Sequence, residues 1–248
     1  MTATETTDYD VIAEEYRRSK QQPWRTFIEC FTLQELIGDP LGMAALDVAC
    51  GEGFYTRVLR QQGAARVKGV DLSQGMIDLA LRQEAQLRQG IDYVVGDARG
   101  LPDDEFDIVV AAYLLNYSRS RDELQLMCDG IARSLNPGGR FVTVNCNPAL
   151  AFPCAPSYRR YGFETSVPGE WREGAPIIWT FYLDEGAFEI ENYHLSVAVH
   201  EEALRRAGFR EIRWHAPRLS PDSLMAHGPD FWSDFLDYPP VAFIECVK

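Results

Sequence analysis

From residue 44 onward the apolar positions switch between two periods in a regular order. Ala44–Ala49, Arg66–Val70, Ile91–Val95, Phe106–Ala112 and Arg140–Asn145 are short runs rich in Val, Ile and Ala, the pattern of strands buried on both faces. Between them, Phe54–Gln62, Ser73–Arg88 and Asp122–Leu135 carry apolar residues at helical spacing. This alternation predicts an α/β fold with a doubly wound, mostly parallel sheet covered on both faces. Upstream, Val11, Ile12, Ala13 and Tyr16 make Asp10–Lys20 a short amphipathic helix. Pro23 opens a second one, carrying Phe27, Ile28, Phe31 and Leu36, which Gly38 and Pro40 stop. After Pro148 the rhythm breaks, and Ala149–Gly174 has no clear period. Ile177–Leu183 and Phe188–Ser196 around "DEGA" predict a β-hairpin, Glu201–Ala207 a helix, and Glu211–His215 and Val241–Val247 two further strands. The expected organisation is a helical lid at 1–42, a ligand-binding core at 43–148, an inserted cover at 149–198, and the remainder of the core at 199–248.

Composition narrows the partners. A chain of 248 residues suits one large domain or a core with an insertion. A net charge of −13 disfavours phosphate backbones and anionic lipid, so neither nucleic acid nor membrane is an expected partner. The longest apolar run, Ile108–Leu115, is far shorter than a membrane helix needs. MTATETTDYD lacks the basic and apolar regions of a signal peptide, and the six cysteines form no CxxC pair. These features predict a cytoplasmic protein, monomer or homodimer, with reduced thiols. The four histidines show no zinc spacing, and no metal site is expected.

The chemistry concentrates at strand ends. "LDVACGEGFYTRVLRQQG" joins a strand to a helix through a turn whose Gly51 and Gly53 let the backbone approach a ligand. Thr56 stands where a dinucleotide fingerprint wants a third glycine, and no G-K-[ST] follows for a triphosphate. Asp47 inside the first strand would repel a pyrophosphate but attract an ammonium group. Asp71, ending the second strand in "KGVDLSQGMI", suits the two hydroxyls of a ribose. Asp97, ending the third in "VVGDARGLP", suits an adenine amino group. Each acid alone is explained equally well as a solvated loop residue or helix cap. Together with the two-glycine turn they fit S-adenosylmethionine (SAM).

"LDVACGEG", "VKGVDLSQGMI", "VVGDARGLP", "FDIVVAAYLLNY" and "LNPGGRFV" resemble the ordered motifs of class I SAM-dependent methyltransferases over about residues 44–146. The resemblance implies a seven-stranded sheet, with 211–215 and 241–247 as a last hairpin that brings in one antiparallel strand. It also implies a cofactor set of Asp47, Ala49, Gly51, Gly53, Asp71, Leu72, Met76, Asp97 and Ala98, with Met76 on the adenine face. Ala49 departs from the glycine many members carry; its small size suggests little cost. "YDVIAEEYRRSKQQPWR" and "AAYLLNY" are similar to the toxoflavin-synthase group of small-molecule methyltransferases, which implies methylation at a ring nitrogen.

Methyl transfer needs an adenosyl grip, a substrate wall and a lid more than it needs a base. Tyr16, Arg17 and Arg25 are the candidates for the carboxylate of SAM, against an ordinary amphipathic surface. Tyr113, Asn116 and Tyr117 follow the fourth strand, where the reacting methyl is expected. Tyr113 and Asn116 are taken as catalytic and Tyr117 as substrate-binding. Trp24, Trp179 and Tyr193 complete the substrate set: no tryptophan lies in 44–149 and four of the five lie in 171–232, an aromatic half that reads as a substrate cover, although most of its rings are better explained as core filling. Alternation in "FEIENYHLS" puts Asn192, His194 and Ser196 on one face, making His194 a candidate acid–base group over the acceptor. The chain therefore reads as a SAM-dependent methyltransferase of a small aromatic or heteroaromatic metabolite in secondary metabolism. The alternatives are C- or O-methylation of an indole or phenol, a SAM-binding regulator without turnover, and a nicotinamide oxidoreductase.

Overall fold

The computed structural model describes residues 9–101 and 105–248; the first eight residues of the expected 1–42 unit and Pro102 of the "GLP" motif lie outside them. The chain begins with α1 (Tyr9–Ser19), followed by a π-helical stretch, Arg25–Cys30, that runs on into α2 (Phe31–Ile37). The alternating layers follow: β1 (Ala44–Val48), α3 (Phe54–Gln61), β2 (Arg66–Asp71), α4 (Gln74–Leu87), β3 (Asp92–Val95), β4 (Phe106–Ala112), α5 (Arg121–Ser134) and β5 (Leu135–Cys146). A small antiparallel sheet comes next, made of β6 (Phe163–Ser166), β7 (Pro176–Leu183) and β8 (Gly186–Tyr193). The chain closes with α6 (Val197–Arg206), β9 (Arg210–His215), the short helices α7 (Ser223–His227) and α8 (Ser233–Asp237), and β10 (Val241–Val247).

The main sheet has seven strands in the order β3-β2-β1-β4-β5-β10-β9. Strands β1 to β5 pair in parallel, and β10 is antiparallel to both β5 and β9. Strand order reverses beside β1, so the crevice between the ends of β1 and β4 is the topological switch point at which α/β sheets bind ligands. One face packs Leu46, Val48, Val109 and Phe141 against α5 and α6. The other packs Ile108, Val110, Val142 and Phe243 against the N-terminal helices and the aromatic residues of the second half.

Three local differences from the sequence reading have physical causes. Helix α5 stops at Ser134 because Leu135 is already extended and pairs with Phe106, so "NPGG" lies within β5 beside a register shift. The hairpin gains a third strand, β6, whose Phe163 faces Phe181 across the ladder. Strand β8 ends at Tyr193, because the peptide N–H and C=O of His194 are engaged by Ala175 and Gly174 and Ser196 caps α6. The expected face of Asn192, His194 and Ser196 is therefore not formed.

The N-terminal segment is partly core. Trp24 is fully buried, its indole N–H donating to Gln22 Oε1 at 3.0 Å, and Tyr16 and Ile28 are buried with it. Strand β7 packs on α1, and β8 packs on the turn Leu115–Tyr117 that follows β4.

Candidate functional site

The ends of β1, β2, β3 and β4 surround a cavity of about 250 Å³. Its floor is the turn after β1. Ala49 and Gly51 both have a φ of +57°, and both line the cavity. A Cβ added at Gly51 would meet only Met76 Sδ, at 4.0 Å, so the bare backbone leaves that space open. Gly53 has a different job. It starts α3 with φ +86°, off the cavity wall, and a Cβ there would collide with the Tyr93 hydroxyl. At Ala49 the departure from glycine is a matter of conformation, not size: a left-handed alanine costs about 1–2 kcal/mol.

The three strand-end acids differ in setting. Asp71 lines the cavity with both oxygens fixed by backbone, Oδ2 accepting from Gly51 N–H at 2.7 Å and Oδ1 from Ser73 N–H at 2.9 Å. Burial raises its carboxyl above the ordinary range despite those two bonds. Asp97, also on the wall, caps the turn Ala98–Gly100 and pairs with the Arg99 guanidinium, Nε to Oδ1 being 2.9 Å, which lowers its titration. Asp47 corrects the sequence reading. It is 1% exposed and lies behind the turn, not on the cavity wall. Its Oδ2 accepts from Thr56 Oγ1 at 2.6 Å, while the buried Oδ1 has no partner. Burial pushes it up to about 7, against the opposing pull of the Thr56 hydroxyl and of Lys20.

The roof comes from α1 and the β4 turn. Tyr9, Tyr16, Tyr113 and Tyr117 all line the cavity, and the Tyr9 and Tyr117 hydroxyls are hydrogen-bonded. Asp10 clasps α1 to the head of α4, its Oδ1 accepting from Ser73 Oγ and from Gly75 N–H at 2.8 Å. Tyr113 sits at φ +64°, a conformation rare for an aromatic residue. Its hydroxyl donates to Glu29 Oε2 at 2.6 Å, and its N–H to Val144 O at 2.8 Å, so the strained backbone is held from both ends. Glu29 also accepts from Arg25 Nη1 and Tyr55 Oη, each at 2.8 Å. Burial, reinforced by Glu29, lifts the Tyr113 phenol well above its ordinary value, so it stays protonated.

Behind that wall is a second chamber of about 20 Å³ that shares Tyr16, Tyr113 and Tyr117 with the cavity. It is also lined by Trp24, Arg25, Trp179 and Asn192.

The structure thus brings Tyr16, Ala49, Gly51, Asp71, Leu72, Met76, Asp97, Ala98, Tyr113 and Tyr117 onto the cavity wall, and Trp24, Arg25 and Trp179 onto the chamber. Leu72 stays 68% exposed at the cavity rim. Arg25 is buried in an ion pair with Glu29, so it is not a surface hand for a carboxylate; Arg17 pairs outward with Glu14. Asn116 lines neither space, although both its amide atoms are buried without partners. Tyr193 is buried elsewhere, its hydroxyl on Glu191 and its ring under Arg119. His194 also lines neither space. Its ring stacks on Trp171 at 4.0 Å between centroids, and burial lowers its titration. The sequence reading missed Tyr9, Arg99, Arg119, Glu123 and Met127 on the cavity wall, and Glu29 behind it. Only Glu29 carried a signal: an Arg25–Glu29 pair at i, i+4 in an otherwise apolar helical stretch. Among the described residues no cluster of His, Cys, Asp and Glu is placed to hold a metal, and no helix is long and apolar enough to cross a membrane.

Residues 45–139 match a methyltransferase-domain family. The ubiquinone/menaquinone biosynthesis C-methyltransferase UbiE of Desulfotalea psychrophila is 33% identical over 160 residues, 62% of this chain and 61% of that protein. The N-demethylindolmycin N-methyltransferase of Streptomyces griseus is 27% identical over 179 residues, 67% of this chain and 69% of that one. The CcbJ methyltransferase of Streptomyces caelestis has the same fold, with a TM-score of 0.67, 18% identity and 98% of each chain covered.

Proposed function

We propose that this chain, built on a class I methyltransferase domain, transfers a methyl group from SAM to a small aromatic or heteroaromatic metabolite, at a ring nitrogen. The observation that carries the proposal is the cavity at the switch point, with a bare-backbone floor at Gly51 and carboxylates at two successive strand ends. These residues fit SAM. The turn keeps open the space a Cβ would fill, and the unpartnered Asp47 Oδ1 beneath it adds to the negative field that Asp71 sets at the floor. Asp71 would hold the ribose hydroxyls with lone pairs left over from its backbone bonds. Asp97 would meet the adenine amino group, Met76 and Ala98 the adenine faces, and exposed Leu72 the outer edge.

Bound SAM supplies a methyl group on a cationic sulfur. The chain's own part is placement and exclusion of water. Tyr16, Tyr113 and Tyr117 form the partition between cavity and chamber, and their rings suit a flat acceptor and a nearby positive charge. Tyr113 cannot act as a base, because its proton is committed to Glu29. His194 and Asn116, lining neither space, carry no step in this scheme. The N-demethylindolmycin N-methyltransferase relative supports nitrogen as the acceptor atom. C-methylation is the second reading, favoured by the UbiE relative. The test is incubation with methyl-labelled SAM and a panel of N-heterocycles, indoles and phenols, beside calorimetry with S-adenosylhomocysteine (SAH). N-methylated product bears the proposal out, and C- or O-methylated product replaces the acceptor atom. SAH binding without turnover on any member of the panel favours the regulator, and no SAH binding ends the reading.

A further inference from the structure

Two rare backbone conformations meet at one hydrogen bond beside the cavity. Tyr113 follows β4 at φ +64°, and Glu29 lies in the π-helical stretch Arg25–Cys30. They are 84 residues apart in the chain, yet Tyr113 Oη donates to Glu29 Oε2 at 2.6 Å. A bulky L-residue disfavours the left-handed region by about tenfold in population. A π-helical turn is rare too, and such turns gather at functional sites. Conformations of this kind persist only where the surrounding structure over-determines them. The sheet itself asks little of Tyr113, using only its peptide N–H, which bonds Val144 O at 2.8 Å. What the left-handed turn adds is the direction of the side chain, whose ring reaches the wall shared by cavity and chamber.

Glu29 is well placed to hold that ring. It is 1% exposed, and its carboxylate takes three donors. Oε2 accepts from Arg25 Nη1 at 2.8 Å as well as from Tyr113, and Oε1 accepts from Tyr55 Oη at 2.8 Å. The Arg25 guanidinium compensates the buried charge, and hydrogen bonds to a charged group are roughly twice as strong as neutral ones. One carboxylate thus ties the π-helical stretch to α3 through Tyr55 and to the β4 turn through Tyr113. Glu29 lines neither cavity nor chamber, so it reaches a ligand only through Tyr113.

We infer that Glu29 is a positioning residue, holding the Tyr113 ring in its strained pose on the partition where donor and acceptor meet. The inference rests on the methyltransferase reading and deepens it. With the bond made, the wall is set before any ligand arrives. Without it, Tyr113 relaxes toward ordinary conformations and only a fraction of the molecules offers a formed wall. By the population figure above that fraction falls about tenfold, and apparent affinity for a cavity ligand falls in proportion.

The experiment uses the full chain with SAH as the probe, followed by calorimetry beside urea unfolding. Tyr113→Phe keeps the ring and removes only the hydroxyl that Glu29 holds. Tyr55→Phe is the control, because it takes a donor from the same carboxylate but touches the other oxygen. The two variants should lose similar stability, while only Tyr113→Phe weakens SAH, by about tenfold. Glu29→Gln leaves a weaker, neutral acceptor and should cost SAH affinity severalfold, with no further loss when added to Tyr113→Phe. If Glu29→Gln does not fold, the two Tyr→Phe variants still decide. A parent chain that binds no SAH overturns the methyltransferase reading and this inference with it. With SAH bound by the parent, unchanged affinity in Tyr113→Phe overturns the inference alone. So does an equal loss in Tyr55→Phe, which would make the carboxylate a general structural tie. Losses that multiply in the double variant would show Glu29 acting by a route other than Tyr113, and they overturn it as well.

Discussion

Replacing Asp47 by Asn tests whether the fold carries an uncompensated charge beneath its ligand turn. Asp47 is buried, with one oxygen on Thr56 and the other unpartnered, and burial raises it from 3.8 to about 7. Over this interval the folded state holds a proton that the unfolded chain has released, so stability falls as pH rises. The contribution is fully present below the unfolded value near 3.9 and is lost by the time pH passes 7. At about 1.4 kcal/mol per pH unit, the cost above pH 7 reaches about 4 kcal/mol. Asn has the same shape, keeps an acceptor for Thr56 and carries no charge to desolvate. Its buried NH₂ lacks a partner and returns about 1–3 kcal/mol of that gain. The variant should be more stable than the parent by about 2 kcal/mol at pH 8, and nearly equal to it at pH 5. Urea unfolding at pH 5, 6, 7 and 8 reads the difference directly, provided the m-values agree. A difference that stays constant across this range would mean that Asp47 is already ionised in the folded chain at pH 5, and the account of its burial would fail.

Three other outcomes follow from the same geometry. Asp71→Ala should weaken SAH binding by about 2–3 kcal/mol, because one carboxylate is assigned both ribose hydroxyls; unchanged affinity in calorimetry removes that assignment. Ala49→Gly relieves a left-handed alanine worth about 1–2 kcal/mol and loses about 0.5–1 kcal/mol to glycine's freedom. A net gain of about 0.5 kcal/mol in denaturant unfolding is expected, and a clear loss would show that the methyl group packs usefully. Gly53→Ala should destabilise by about 1–3 kcal/mol through the collision with Tyr93, and adding Tyr93→Ala should recover part of the loss; without any recovery, backbone strain alone is responsible.

How much could be read from the sequence depended on whether one residue's neighbours were local. Strands buried on both faces announce themselves, so β1, β4 and β10 were legible from their apolar runs. Asp71 and Asp97 were legible as wall residues because a strand's end necessarily opens onto the switch-point crevice. Asp47 was not, because it lies within β1, and a sheet covered on both faces gives no clue to which side is wet. Strand β6 escaped because its four residues follow a Pro- and Gly-rich stretch and exist as a strand only through pairing with β7. Arg25 read as a surface cation because two of the rings that cover it, Tyr113 and Phe181, come from distant segments. His194 read as a strand residue because nothing in its neighbours marks where β8 stops.

The clasp at Asp10 joins two events that would otherwise be independent. Ser73 donates its hydroxyl to Asp10 and, with the same oxygen, accepts from Met76 N–H as the cap of α4. Lifting α1 from the rim removes a partner from the oxygen that steadies the first turn of α4, and that turn carries Met76 on the cavity wall. The roof helix and the cavity wall thus share a single atom, Ser73 Oγ. If α1 acts as a lid, ligand release is coupled to fraying of that helix end. Asp10→Ala would quicken SAH release severalfold while changing little of what SAH touches, and stopped-flow displacement would show it in the off-rate alone.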